Sequence, residues 1–146
     1  MKKFKNSLVF IIFTFLFIFH TNIFAGKPIY VEINDVPLTM SDQPVIENDR
    51  VMVPMRDIFT ALGYKMEWDN ESRMIFAGKD TLSFAMQIGN KEAVVNNKLT
   101  YLDTPPFIRN DKTFVTLRFV STISGAEVFW IPENNLVKIH TNTNTV

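Results

Sequence analysis

Residues 44–78, PVIENDRVMVPMRDIFTALGYKMEWDNESRMIFAG, return 62 positions later as residues 106–140, PFIRNDKTFVTLRFVSTISGAEVFWIPENNLVKIH, and the two stretches align without a gap. Ten of the 35 aligned positions are identical. These are Pro44/Pro106, Ile46/Ile108, Asn48/Asn110, Asp49/Asp111, Val53/Val115, Arg56/Arg118, Thr60/Thr122, Gly63/Gly125, Trp68/Trp130 and Glu71/Glu133. Self-similarity at a fixed spacing is the signature of a repeated supersecondary unit. The sequence therefore predicts two tandem copies of one unit, at about 30–78 and about 92–140.

Short strands and polar turns open each copy. Tyr30–Ile33 and Ala93–Val95 are predicted strands, and each is followed by a pair of Asn or Asp residues. A second such pair, Asn48-Asp49 or Asn110-Asp111, precedes another brief strand. Asn and Asp tolerate the left-handed backbone conformation that two-residue hairpin turns require. Both copies are therefore expected to begin with β-hairpins.

A short helix is predicted in the middle of each copy. The apolar residues within 55–62 recur at i, i+3, i+4 and i+7, which is the spacing of one helix face. Pro54 is expected at the first helical position, and Gly63 as the left-handed residue that ends the helix. The second helix, Leu117–Ser124, stops at Gly125 and is rich in β-branched residues, so packing rather than intrinsic propensity has to hold it.

Strands in which apolar and polar residues alternate are predicted after both helices and also between the two copies. Tyr64, Met66 and Trp68 are expected on one face of a strand, and Trp130 occupies the equivalent place in the second copy. We expect both tryptophans to pack between helix and sheet, and a platform on which sugars stack is the alternative. The predicted fold class is α+β: an antiparallel sheet with two short helices packed on it, built from two tandem β-hairpin–helix–β-hairpin units.

A basic and then apolar segment begins the chain. Three lysines within the first five residues precede residues 8–19, LVFIIFTFLFIF, and Ala25 follows shortly after. This order is typical of a secretory signal peptide, so residues 1–25 are predicted to be one, with cleavage after Ala25. The alternative is an uncleaved anchor, but about a dozen apolar residues fall short of the ~20 that span a bilayer. The protein is expected to be secreted or associated with the cell envelope, without membrane contact after cleavage.

Charge and composition restrict the partners. The full chain has 15 basic and 15 acidic residues, which gives no reason to expect nucleic acid. Residues 1–25 include three of the basic residues, so the remainder carries 12 basic and 15 acidic residues and a net charge of −3. That balance does not favour strong adhesion to anionic polymers. The chain has no cysteine, so an apolar core has to supply its stability.

One combination of motifs matches a known family. The run Pro44–Arg50 leads into Val-Pro-Met-Arg at 53–56, then Leu62-Gly63 ends the helix, and Trp68-Asp69 lies in the next strand. This combination resembles the copper amine oxidase N-terminal-like domain, over about residues 29–140. The positions that carry the repeat signature are Pro44, Asn48, Pro54, Gly63, Trp68, Pro106, Asn110, Gly125 and Trp130.

The second copy departs from the family pattern at three positions. Thr116, Ser124 and Ile131 stand where the family has proline, leucine and aspartate. The resemblance implies a non-catalytic, stalk-like module of the kind found in secreted proteins of Gram-positive bacteria. It implies neither copper nor amine oxidation.

The residues themselves argue against metal and nucleophile chemistry. A copper site of the oxidase class needs several imidazoles, and only His140 remains once residues 1–25 are removed. There is no cysteine and no Gly-x-Ser-x-Gly motif. We therefore predict no cofactor, no metal and no enzyme activity. A hydrolase that uses Asp69 with Glu67 or Glu71 is the remote alternative, although acidic residues at a strand end are typical of turns.

Four residues are candidate ligand contacts: Arg56, Arg118, Tyr64 and Tyr101. Arg56 and Arg118 occupy the same place in both helices, in a first turn where a cation is unfavourable for the helix dipole. A structural ion pair or a contact with a backbone carbonyl is the favoured interpretation, and a clamp for carboxylates or other anions is the alternative. If a sugar site exists, Tyr64, Tyr101 and Tyr30 are expected to be its exposed contributors.

Three functional hypotheses remain open. The first is a secreted, non-catalytic module that binds a cell-wall polymer or another envelope protein. The second is a structural protein that forms a homo-oligomer, or pairs with a partner, through an exposed sheet edge. The third is the carboxylate-dependent hydrolase. The sequence does not identify the ligand.

Overall fold

The structure, a computed structural model, describes residues 26–142. The predicted signal peptide, residues 1–25, lies outside this range. No helix within residues 26–142 combines the length and the apolar character that crossing a membrane demands.

Within the described range the chain forms thirteen strands, two α-helices and one 3-10 turn. The strands are β1 Tyr30–Ile33, β2 Val36–Pro37, β3 Val45–Glu47, β4 Arg50–Pro54, β5 Lys65–Asp69, β6 Met74–Lys79, β7 Leu82–Gln87, β8 Glu92–Val95, β9 Lys98–Tyr101, β10 Phe107–Arg109, β11 Lys112–Thr116, β12 Glu127–Ile131 and β13 Leu136–His140. The helices are α1 Met55–Ala61 and α2 Leu117–Ser124, and the 3-10 turn is Pro132–Asn134.

The strands form three sheets rather than the single sheet expected from the sequence. Their orders are β12-β13-β1-β2, β10-β11-β4-β3 and β5-β6-β7-β8-β9. All pairings are antiparallel except that of β1 with β13, which is parallel. An α+β class with mostly antiparallel sheets and two helices is therefore correct. The division into three sheets follows from long-range pairings that local periodicity does not encode.

The two-residue turns adopt the conformation that their sequences predict. Asn34-Asp35, Asn48-Asp49, Asn96-Asn97 and Asn110-Asp111 all have φ between 49° and 62°. Positive φ at both central residues matches the right-handed twist of the flanking strands. The prediction of Asn-based hairpin turns is confirmed, and these turns set the register of four hairpins.

The helices begin and end close to the predicted positions. Pro54 is the residue that precedes α1 rather than its first member, and Gly63 follows with φ 88°. In α2 the hydroxyl of Thr116 accepts a hydrogen bond of 3.2 Å from the backbone N–H of Phe119. A threonine cap of this kind stabilises a helix by roughly 1 kcal/mol. Thr116 therefore compensates for the proline that the second copy lacks.

The first two strands of the two copies join different sheets. β8 and β9 begin 62 residues after β1 and β2. However, β8 and β9 extend the sheet that holds β5 and β6, whereas β1 and β2 pair beside β13. The first hairpin of each copy thus shares a sheet with the last hairpin of the other copy. The copies interlock and do not form two separate packing units.

An aromatic cluster occupies the centre of the core. Phe59 lies 4.9 Å from Phe84, 5.1 Å from Tyr64 and 6.0 Å from Phe119, measured between ring centroids. Phe84 and Phe119 are 5.2 Å apart in an edge-to-face arrangement. All four side chains are buried. Edge-to-face pairs add to the free energy gained from burial alone, so this cluster ties both helices to β7.

Phe59→Ala is expected to lower the free energy of unfolding by about 3–5 kcal/mol, because it removes a fully buried ring from this cluster. Urea denaturation followed by tryptophan fluorescence measures the change. Phe76→Ala is the matched control, since Phe76 is 44% exposed and a surface substitution usually changes stability by about 0.5 kcal/mol or less. Equal losses in the two variants would contradict the central role of the cluster.

Candidate functional site

A cleft of about 440 Å³ opens between the two copies. One wall is the start of α1 together with β5 and β6, and the other is the turn between β10 and β11. The residues that line the cleft are Ser41, Pro54, Met55, Arg56, Asp57, Met66, Glu67, Trp68, Asn70, Ile75, Ile108, Asp111, Lys112 and Thr113. Apolar side chains are thus combined with cations, carboxylates, hydroxyls and an amide. Such a mixed lining suits a polar organic ligand better than a purely apolar one.

Asp57 in the first turn of α1 fixes the loop at one end of the cleft. Its carboxylate accepts hydrogen bonds from the backbone N–H of Ser41, at 2.7 Å, and from the Ser41 hydroxyl, at 2.8 Å. The preceding strand β4 runs directly into the helix through Pro54, whose ring fixes φ near −60°. The strand-to-helix junction therefore sets the directions of Arg56 and Asp57.

The same loop is bound to the second copy through Asp42. Its carboxylate accepts a 3.0 Å hydrogen bond from the Asn110 side chain and lies 3.8 Å from the Arg109 guanidinium. The hydrogen bond from Asn110 is the main cause that lowers the pKa of Asp42. Arg109 also stacks over Phe114, 5.0 Å from the ring centroid. These contacts hold the β10–β11 hairpin at a fixed distance from α1.

Arg56 is exposed in the cleft and forms no ion pair or side-chain hydrogen bond with any residue in the range 26–142. The expected ion pair or carbonyl contact of Arg56 is therefore wrong. The nearest acidic neighbour in sequence, Asp57, is already engaged by Ser41. The guanidinium retains its five donors for water or a ligand.

Arg118 occupies the equivalent position of α2 but lies outside the cleft. It is also exposed, and it too has no ion pair within the described part of the chain. The residue after Arg118 is Phe119, which is buried in the aromatic cluster. The residue after Arg56, by contrast, is Asp57. The structure thus gives the two predicted arginines different surroundings, and only one of them lines the cleft.

Tyr64 was expected at the surface, and this expectation is wrong. The side chain is 5% exposed and packs edge-to-face against Phe59. Its hydroxyl donates a 3.2 Å hydrogen bond to the carbonyl of Ile123. Burial raises the pKa of Tyr64. Tyr64 precedes β5 directly after the turn at Gly63, and its ring points into the core rather than towards a ligand.

Tyr101 and Tyr30 are exposed, as expected, at 70% and 61%. Neither lines the cleft. Tyr101 lies on the edge strand β9 and Tyr30 begins β1. The structure therefore does not bring the tyrosines together with Arg56.

The two tryptophans differ in the same way as the two arginines. Trp130 is half-buried against the core, as the alternating pattern predicts. Trp68 is 39% exposed and forms part of the cleft wall, so its expected place in the core is wrong. It lies on the edge strand β5 of the five-stranded sheet.

The other signature residues have backbone roles. Pro44 and Pro106 are buried, and the carbonyl of Pro106 accepts a 2.8 Å hydrogen bond from the backbone N–H of Gly89. Asn48 and Asn110 each open a turn with φ 49°. Gly125 ends α2 with φ 67°. These positions determine the local course of the backbone, and Asn110 also donates a side-chain hydrogen bond to Asp42.

Asp69, at the end of β5, is hydrogen-bonded within a turn. The Asp69 carboxylate accepts hydrogen bonds from the Ser72 hydroxyl, at 2.6 Å, and from the Glu71 backbone N–H, at 3.0 Å. The hydrogen bond from Ser72 is the main cause that lowers the pKa of Asp69. A general acid needs a raised pKa, so these contacts favour the turn interpretation that the sequence offered for Asp69.

No group of three or more His, Asp or Glu side chains is placed to hold a metal ion in the segment from 26 to 142. His140 is half-buried and packs edge-to-face against Phe129, with centroids 6.1 Å apart.

Sequence reasoning missed the second wall of the cleft. Asp111, Lys112 and Ile108 lie on the β10–β11 hairpin, about 40–60 positions away from Arg56 and Trp68 in the chain. Their approach depends on the pairing of β4 with β11, which joins equivalent strands of the two copies. The repeat itself was the available signal, because equivalent strands of a repeated unit often pair with each other.

A family model for the copper amine oxidase N-terminal domain matches residues 32–139. The chain belongs to the copper amine oxidase N-terminal domain family. The resemblance carried by the repeat motifs is thereby confirmed, and the domain of this family is a non-catalytic module.

One curated relative supplements the family assignment. A Brevibacillus choshinensis protein named "Protease inhibitor" is 28% identical over 78 residues, which is 53% of this chain. The matched part is 24% of that relative. The chain thus spans about a quarter of the length of the relative.

Ser72→Ala is expected to raise the pKa of Asp69 towards its ordinary value of 3.8, because the strongest hydrogen bond to the carboxylate is lost. An NMR titration of the carboxyl carbon measures the shift. A carboxyl with a lowered folded pKa contributes stability above its unfolded pKa and loses it as the pH falls. The wild type should therefore lose more stability than Ser72→Ala as the pH falls below about 4. Ser83→Ala is the control, and an unchanged Asp69 titration in Ser72→Ala would refute the assignment.

Proposed function

We propose that this protein is a secreted, non-catalytic module that binds glycan strands of the cell wall in the cleft between its two copies. The observation that carries the proposal is the pairing of an exposed indole, Trp68, with an unengaged guanidinium, Arg56, in the same cleft. The equivalent residues Trp130 and Arg118 do not form a second pair of this kind, since Trp130 packs against the core.

The chemistry of the lining favours sugar over a charged polymer. An aromatic face takes up the apolar side of a sugar ring, and fixed polar groups at its rim take the hydroxyls. Around Trp68, the polar groups are Glu67, Asn70, Asp111 and Arg56. Cations and carboxylates both line the cleft, and residues 26–146 carry a net charge of −3. A polyanion would be repelled by that excess of acidic groups.

The walls of the cleft are held in place before any ligand binds. Asp57 binds the Ser41 loop from one side, and Asn110 binds Asp42 from the other. A site whose parts are already fixed loses less conformational entropy when it binds. This arrangement supports a binding role for the cleft.

Retention on insoluble peptidoglycan tests the proposal. Trp68→Ala and Arg56→Ala are each expected to weaken retention at least about tenfold, equivalent to roughly 1.4 kcal/mol. Arg118→Ala is the matched control, because it removes the same side chain from the equivalent helix position outside the cleft, and it should bind like the wild type. Circular dichroism checks that all three variants are folded.

Two results would oppose this proposal. Equal losses in Arg56→Ala and Arg118→Ala would mean that general charge, not the cleft, mediates retention. Absence of retention by the wild type would remove the glycan as ligand. The name of the Brevibacillus choshinensis relative motivates a parallel assay of protease inhibition with a protein substrate, and inhibition without wall retention would replace the glycan by a protease as the partner.

Secretion is tested separately from binding. Expressed in a Gram-positive host, the protein is expected outside the membrane and without its first 25 residues, because the basic and apolar start is followed by a small residue at Ala25. Intact-mass spectrometry of the culture medium and wall fraction identifies the N-terminus. Ala25→Leu should slow processing, since signal cleavage requires small residues. A full-length protein retained in the membrane fraction would contradict the predicted cleavage.

A further inference from the structure

The five-stranded sheet ends at β9, a strand with two prominent exposed apolar side chains. β8 is the one strand that pairs with β9 in the described chain. Tyr101 is 70% exposed and Leu99 is 56% exposed. Unpaired edge strands offer free backbone groups to another chain, and proteins usually protect them with charges or proline.

The turn at Asn96-Asn97 determines which backbone groups of β9 are free. In a two-residue hairpin the closing pair, here Val95 and Lys98, is hydrogen-bonded. The groups of every second residue then point towards β8, as shown by the 2.7 Å bond from the Leu102 N–H to the Lys91 carbonyl. The N–H and C=O groups of Leu99 and Tyr101 therefore point away from the sheet.

The four outward groups of β9 are complementary to themselves. If a second β9 runs antiparallel with Thr100 at the two-fold axis, Leu99 lies opposite Tyr101 of the second copy, and Tyr101 lies opposite its Leu99. Directly opposed residues of this type exchange both of their N–H to C=O bonds. Two such pairs use all four outward groups of each chain. We propose that the protein forms a two-fold homodimer through β9, which joins two five-stranded sheets into one sheet of ten strands.

The side chains favour the same register. Leu99 would face Tyr101 of the second copy twice, and aliphatic–aromatic cross-strand pairs are stabilising. Thr100 would face Thr100 of the second copy, another favourable pair. Lys98 would face Leu102 of the second copy, so no like charges meet. The exposed row Phe76, Val94 and Leu99, which crosses the sheet through Ala85, would continue into the Tyr101 ring of the second copy.

The first copy shows the protected version of the same edge. β2 begins 62 residues before β9, and Pro37 stands at the position equivalent to Leu99. A proline has no N–H to give to a neighbouring strand, so β2 lacks one of the donors that the proposed pairing needs. β5, the opposite edge of the five-stranded sheet, carries Lys65, Glu67 and Asp69 on its exposed face. Of the edge strands β2, β5 and β9, only β9 has neither a proline nor a charged side chain at its outward positions, which are Leu99 and Tyr101.

Sedimentation velocity from about 1 μM to about 1 mM measures the dimer, and paired charges test its register. Leu99→Lys with Tyr101→Lys places lysines opposite each other twice and should weaken self-association at least about tenfold. Leu99→Lys with Tyr101→Glu places opposite charges in both pairs and should restore it. Phe129→Lys changes an exposed residue on the edge strand β12 and should leave the dimer unchanged.

A cysteine pair gives an independent measurement, because the protein has no cysteine of its own. Thr100→Cys should form an intermolecular disulfide in air, since opposed Cα atoms at a non-hydrogen-bonded position are about 4.5 Å apart. Leu99→Cys is the control: its two copies lie diagonally, about 7–8 Å apart, beyond the usual reach of a disulfide. A wild type that stays monomeric throughout, or equal cross-linking of both variants, would overturn the proposal. Neither result bears on the cleft, which β9 does not line.

Discussion

The packing of Phe84 between the two helices is the constraint on which the rest of the structure depends. Phe84 lies on β7, outside both aligned stretches of the repeat, and it contacts Phe59 of α1 and Phe119 of α2. β7 also pairs with β6 on one side and β8 on the other. The same strand therefore contributes Phe84 to the aromatic core and links β6 of the first copy to β8 of the second. Without β7 the second copy would have no backbone link to the five-stranded sheet.

Features that depend on a few neighbouring residues could be predicted from the sequence. The Asn-based turns, the helix starting at Leu117 and the left-handed glycines each follow from local backbone preferences, and the structure has them. The division into three sheets could not be predicted, because the choice of partner strand is a property of distant residues. The parallel pairing of β1 with β13 joins segments more than 100 positions apart.

In the candidate site, too, the features set by neighbouring residues could be predicted, and those set by distant residues could not. Arg56 was identified from its repeat position, but its place in a cleft depends on a hairpin of the other copy. Alternation correctly assigned Trp130 to a core-facing position and failed for Trp68, which lies on the edge strand β5 and is exposed in the cleft wall. Tyr64 was misassigned because the chain turns at Gly63 before β5 begins. In a repeat protein, equivalent sequence positions therefore do not guarantee equivalent surroundings.

The parallel pairing of β1 with β13 also has a mechanical consequence. Tyr30 lies beside Leu136 and Ile33 beside Ile139, so the chain enters this pair at one end and leaves it at the other. Tension between the segment before Tyr30 and the segment after His140 would act along the two strands in opposite directions. The evenly spaced hydrogen bonds of a parallel pair would then be loaded together in shear instead of being opened one after another. A module joined at both sides to larger structures would resist extension through these two strands.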